Sequence, residues 1–182
     1  MVQDAAHSMA AVGMLAPFVE SIFFQSFVQI GEIYQKSNKT LPTHPRWKNS
    51  SSKRWDCHFV WNTTGKQNWR KDLSVGIQQM AEEIRLTPRL PLNLARILEA
   101  LFSYRNSMFH NGFEWPEKER RDFQEKIQKH GWSDWFHYAT HEGKPWVFYM
   151  TKSFISVCLS TIQKVIQALG EFSRHDLDHS TS

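Results

Sequence analysis

Hydrophobic positions recur at helical spacing over most of the chain. From Ala5 to Lys36, Val19, Ile22, Phe23, Phe27, Ile30, Ile33 and Tyr34 share one face, with Glu20, Gln25, Gln29 and Glu32 on the other. Pro17 marks the start of the regular part or a kink. The polar stripe and the charge at Glu20 interrupt the run of about 20 apolar residues that a bilayer span needs, so no membrane segment is expected. A second helix is predicted over Asn68 to Arg85, with Leu73, Ile77, Met80 and Ile84 inward and Asn68 as its cap. Thr87-Pro88-Arg89-Leu90-Pro91 breaks it. The third helix opens near Pro91 and carries Leu94, Ile97, Leu98, Leu101, Tyr104 and Met108 on its core stripe. Asn111-Gly112 stops it, since both residues tolerate the left-handed backbone of a helix end. Glu117 to Lys129 forms a charged fourth helix with oppositely charged neighbours four apart. Pro145 opens the last, whose apolar face runs Phe148, Phe154, Val157, Cys158, Ile162, Val165, Leu169 and Phe172. The pattern predicts an all-α bundle of about five helices.

Two stretches have no helical period. Lys36 to Lys71 is rich in Pro, Ser, Asn and Thr and holds Trp47, Trp55, Trp61 and Trp69. It carries nine basic residues against Asp56 alone, a balance of +8, and the rest of the chain carries −4, which together give the net +4. This long basic, Trp-rich loop admits two readings. Arg46, Lys48, Lys53 and Arg54 could hold an RNA backbone while the indoles stack on bases, or the indoles anchor the loop and the charges keep it solvated. Cys57 to Trp61 fits a short strand within it. Gly131 to Lys144 reads as an aromatic loop with Trp132, Trp135, Phe136 and Tyr138, covering one end of the bundle. His137 and His141 are spaced for zinc on a helix, but with no third ligand in view no metal is expected.

At 182 residues the chain is the size of one domain and can bury about 70% of its unfolded surface. Its two cysteines, Cys57 and Cys158, give no disulfide framework, and Asp4 and His7 stand where a signal peptide would be basic, so a cytoplasmic location is expected. A glycine-rich phosphate loop, a Gly-x-Ser-x-Gly elbow, paired zinc cysteines, tandem repeats and a leucine-zipper heptad are all absent from the sequence. No cofactor is expected.

The end of the third helix is the place equipped for chemistry. Arg105 can grip a phosphate through two charge-assisted hydrogen bonds, and His110 can exchange a proton near neutral pH. At about 100° per residue the two lie about 140° apart on one helix and cannot face the same phosphate. Either the helix ends between them, or a second copy of the chain completes the site about a two-fold axis. Taken singly, Arg105 could form an ion pair with Glu99 or Glu114, and His110 could cap the helix end.

An apolar helix ending in Arg105, polar Asn106, three further residues and His110 resembles the motif of the HEPN (higher eukaryotes and prokaryotes nucleotide-binding) domains. The resemblance covers Leu92 to His110, and beyond that only the number and order of helices. It implies an all-helical bundle, here a single domain over residues 1–174 with the residues over 175–182 read from the sequence as a flexible tail, and a homodimer with the motif at its interface. It also implies a metal-independent endoribonuclease in a toxin or antiviral role. Arg105 and His110 would be catalytic, and Asn106 would orient the phosphate or the ring. Some members of that family lack catalysis, so the alternative is a module that binds a nucleotide, RNA or a partner such as an antitoxin. The bare spacing recurs at Arg174 and His179 without an apolar helix.

Overall fold

The computed structural model describes residues 2–48, 51–63, 68–112 and 114–174, with side chains from residue 4 onward. The elements are α1 (Val2–Lys36), α2 (Pro45–Lys48), β1 (Phe59–Asn62), β2 (Asn68–Lys71), α3 (Leu73–Glu83), α4 (Leu94–Asn111), α5 (Glu117–His130), β3 (Phe136–His141), β4 (Lys144–Met150) and α6 (Lys152–Phe172). Single 3-10 turns lie at Ser52–Trp55 and Thr87–Arg89. The chain forms two compact units. One comprises the chain up to Phe18 with Arg96–Ile162, and the other comprises Val19–Ala95 with the described residues from Gln163 on. By length and composition, α1 from Asp4 and α6 could each cross a membrane, and each also supplies fully buried side chains, Phe23 and Phe27 on α1 and Phe154 on α6. The tail over 175–182, with His175, Asp176, Asp178 and His179, lies outside the described residues.

The all-α expectation is corrected by two antiparallel hairpins, β1–β2 and β3–β4. Asn68 begins a strand and caps no helix. Asp72 caps α3, its Oδ1 accepting from the Val75 amide at 3.1 Å. Within the stretch Gly131 to Lys144 expected as a loop, Phe136–His141 is β3, joined to β4 by Glu142 (φ 50°) and Gly143 (φ 75°), the paired left-handed residues of a two-residue hairpin turn. Pro145 therefore sits in β4. The start of α6 is set by Thr151, whose Oγ1 accepts from the Phe154 amide at 3.1 Å.

In the first unit the packing converges on Tyr104. Its ring is fully buried among Trp115, Phe123 and Phe136, with centroids 5.3 to 6.1 Å away. Its hydroxyl donates to the Phe148 carbonyl at 3.0 Å and meets Ser8 Oγ at 3.0 Å, and Ser8 Oγ accepts from the Met150 amide at 2.6 Å. This buried relay ties α1, α4 and β4 together with its polar atoms satisfied. Burial pushes the Tyr104 phenol up to about 12, so it stays protonated and keeps donating. Fixing Tyr104 inward fixes the rotation of α4, and so the direction in which its next residues point.

In the second unit the basic loop is built around Arg46, which has no exposure. Its Nε donates to Arg54 O, its Nη1 to Phe59 O and Gln79 Oε1, and its Nη2 to Lys53 O and Asp56 O, at 2.6 to 3.1 Å. Gln79 also bonds both backbone groups of Trp61, joining α3 to β1. Trp47, Trp55 and Trp61 are buried, so the indoles anchor this segment. Gly76 on α3 allows the closest approach, since a Cβ there would stand 2.0 Å from the Cys57 carbonyl oxygen.

Candidate functional site

The last turns of α4 hold the sequence motif. The helix runs unbroken from Leu94 to Asn111, which removes the first of the two alternatives for bringing Arg105 and His110 together. Within one chain they remain about 140° apart. Arg105 is half-buried, its guanidinium carbon 5.5 Å from the Phe102 ring centroid, a cation–π distance. Asn106 and His110, one turn apart, are both exposed. Phe109, 59% exposed, falls between the Arg105 edge and the His110 edge. An apolar ring thus occupies the centre of a solvent-facing surface, with a cation on one side and an amide and an imidazole on the other.

The helix end is closed without His110. Asn111 Nδ2 donates to the Ser107 carbonyl at 3.0 Å, and Gly112 adopts φ 64° while its amide reaches Met108 O at 2.8 Å. The Gly112 carbonyl accepts the Trp115 indole at 2.9 Å, anchoring the exit of the helix in the same aromatic cluster as Tyr104. Glu99, one of the acids considered as a partner for Arg105, lies 3.4 Å from His130 Nδ1. These contacts close the α4 terminus without the His110 ring, which is exposed.

The residues expected to bind RNA belong to the other unit and are not equivalent to one another. Arg46 is a correction: all five of its N–H groups are spent on internal acceptors, and it has no exposed surface to offer a phosphate. Burial lowers its value to about 10, which leaves it a cation at neutral pH. Lys48 is exposed, Lys53 and Arg54 are half-buried, and Lys53 Nζ lies 4.7 Å from the Phe59 ring centroid.

Sequence reasoning missed a cluster at His58. Its Nε2 lies 2.8 Å from Glu20 Oε1 and its Nδ1 2.6 Å from Asp56 Oδ1. Both ring nitrogens face carboxylates, which favours the imidazolium, and neither nitrogen is open to a substrate. Glu20 and His58 are 38 positions apart in the chain, a pairing that local pattern does not reveal. No group of three or more His, Cys, Asp or Glu able to hold a metal occurs among the described residues. Comparisons with protein-family models, with curated proteins and with solved structures give no match. The likeness to HEPN domains rests on the α4 motif.

Proposed function

We propose that the protein is an endoribonuclease that acts as a two-fold dimer, with the α4 surfaces of both copies forming one cleft. The observation that carries this reading is the disposition of Arg105, Asn106 and His110 about exposed Phe109 on an unbroken helix. A copy seated on Phe109 removes an apolar ring from water and places two arginines and two histidines around one phosphate. RNA supplies its own nucleophile. One His110 takes the proton of the 2′-hydroxyl as its oxygen bonds to phosphorus, and the other protonates the 5′ oxygen as the P–O5′ bond breaks. Arg105 stabilises the charge that develops on the phosphoryl oxygens, and Asn106 orients the phosphate. The products are a cyclic 2′,3′-phosphate and a free 5′-hydroxyl, and no step requires a metal.

The test is incubation of the protein and its Arg105→Ala and His110→Ala forms with mixed cellular RNA in excess chelator, followed by analysis of product ends. The expected result is cleavage leaving cyclic phosphates, with a loss of about 10² to 10⁴ in rate on removing His110. RNA left intact by the parent protein, or a His110→Ala form that keeps the parent rate, overturns the proposal.

A further inference from the structure

The unit that carries the α4 motif has a concave surface, about 420 Å³ in volume, formed by α5, the segment after it, and the β3–β4 hairpin. Ile127 and Phe136 are its buried apolar lining. The remaining lining is polar or aromatic: Gln124, Gln128, Ser133, His137, Tyr138 and Tyr149. Gln124 and Gln128 are one turn apart on α5 and share a face. His137 and Tyr149 are cross-strand partners whose rings meet edge to face with centroids 6.1 Å apart. Tyr138 rests against Phe148 at 5.6 Å and remains 44% exposed. Among the described residues, no hydrogen bond engages the side-chain polar atoms of Gln124, Gln128, Ser133, His137, Tyr138 or Tyr149. Among the described residues, no Lys, Arg, Asp or Glu lines the surface.

We infer that this pocket holds a base of the RNA substrate. The inference rests on the ribonuclease reading and adds the group that would take the base. A nucleobase is a flat, uncharged ring with donors and acceptors along its edge. The aromatic rings offer π-faces for stacking, and the two carboxamides offer donor and acceptor side by side, the means by which unpaired bases are recognised. The volume lies in the range of small-ligand pockets. A lining without cations suits the base and not its phosphate. Another groove, about 500 Å³ on the second unit, includes Glu82 and Glu83 with Arg85 in its lining, so its carboxylates repel a phosphodiester.

The deciding experiment titrates the intact protein with each of the four ribonucleosides, which lack phosphate, while the ring resonances of His137 and Tyr149 are followed by NMR. Saturable shifts at both rings with at least one nucleoside are expected at millimolar concentration or below. Binding should weaken roughly 5- to 150-fold in Tyr138→Ala, in keeping with loss of one stacking surface. Gln128→Ala, a change at an exposed helix position that preserves the fold, should weaken it as well. In RNA cleavage both variants should raise KM with kcat little changed. If none of the nucleosides shifts these resonances, or if the variants bind as the parent does, the pocket assignment fails whether or not RNA is cut. If the parent cuts no RNA while nucleosides still bind, the pocket stands and the ribonuclease reading falls.

Discussion

A guanidinium fully removed from water persists only if its donors are all used, and Arg46 uses five on four backbone carbonyls and one amide oxygen. Arg46→Met, close in volume, leaves those five acceptors without their donor and should destabilise the protein by about 3 kcal/mol or more. Arg46→Lys should recover little, because an ammonium has three donors at one point where the fork needs five. Urea midpoints measure both, and an unchanged midpoint in Arg46→Met would show that the carbonyls find other partners. His58 makes the opposite kind of commitment, since its charge depends on pH. Burial acts to lower its pKa, but the hydrogen bonds and charges of Glu20 and Asp56 outweigh it, and the net shift is upward. A histidine raised above its unfolded value stabilises the fold fully below about pH 6.5, and that contribution fades as pH climbs through the raised value. The stability lost in His58→Ala should therefore be larger at pH 6 than at pH 9. Because the ring is about a third exposed, solvent screening keeps the difference modest. Equal losses at both pH values would mean that His58 contributes packing against Phe24, 5.4 Å away, and no charge.

Elements meet at a few close approaches, and Gly76 is the tightest. A methyl group there would overlap the Cys57 carbonyl, a backbone atom that cannot rotate away, so α3 and the segment leading into β1 must separate. Gly76→Ala should cost about 1 to 3 kcal/mol despite the better helix propensity of alanine, and thermal unfolding would report it. A rise in melting temperature would show instead that the loop yields without loss. The sequence pattern made some of these elements legible and hid others for physical reasons. Helix α4 is readable because it has one apolar stripe and ends at Asn111-Gly112, with Gly112 at positive φ, and α5 because oppositely charged side chains recur four positions apart. Strand β4 reads as part of the last helix in the sequence because Trp146 to Met150 is apolar or aromatic at every position and fits either period. The turn signal was present at Glu142-Gly143, one residue type away from the commonest hairpin pairs. The placement of Arg105, Asn106 and His110 at the end of α4 is legible because a helix stop needs no long-range information. That Arg46 is internal is not, since basic neighbours in sequence imply a solvated surface and the carbonyls that bury it come from residues 7 to 13 positions further on.

Whether one chain is enough is decided at the scale of the whole molecule. A continuous α4 sets Arg105 and His110 about 140° apart, so a single protomer cannot turn both side chains to one phosphate. If two copies close on Phe109, the cleft requires both histidines, one as base and one as acid. Activity then belongs to the pair. Adding excess His110→Ala protein to the parent protein and allowing subunits to exchange should lower the rate per parent protomer, because each mixed dimer has lost one of the two proton-transfer groups. An independent active site would be untouched by the same addition. Phe109→Glu tests the same point from the interface: burying like charges near the axis is unfavourable, so this form should sediment as a monomer and fail to cut RNA with Arg105 and His110 intact. A monomeric Phe109→Glu protein that cleaves at the parent rate would place the whole reaction within one chain, and the helix would then have to deform in the bound state to bring its two charged edges to the same phosphate.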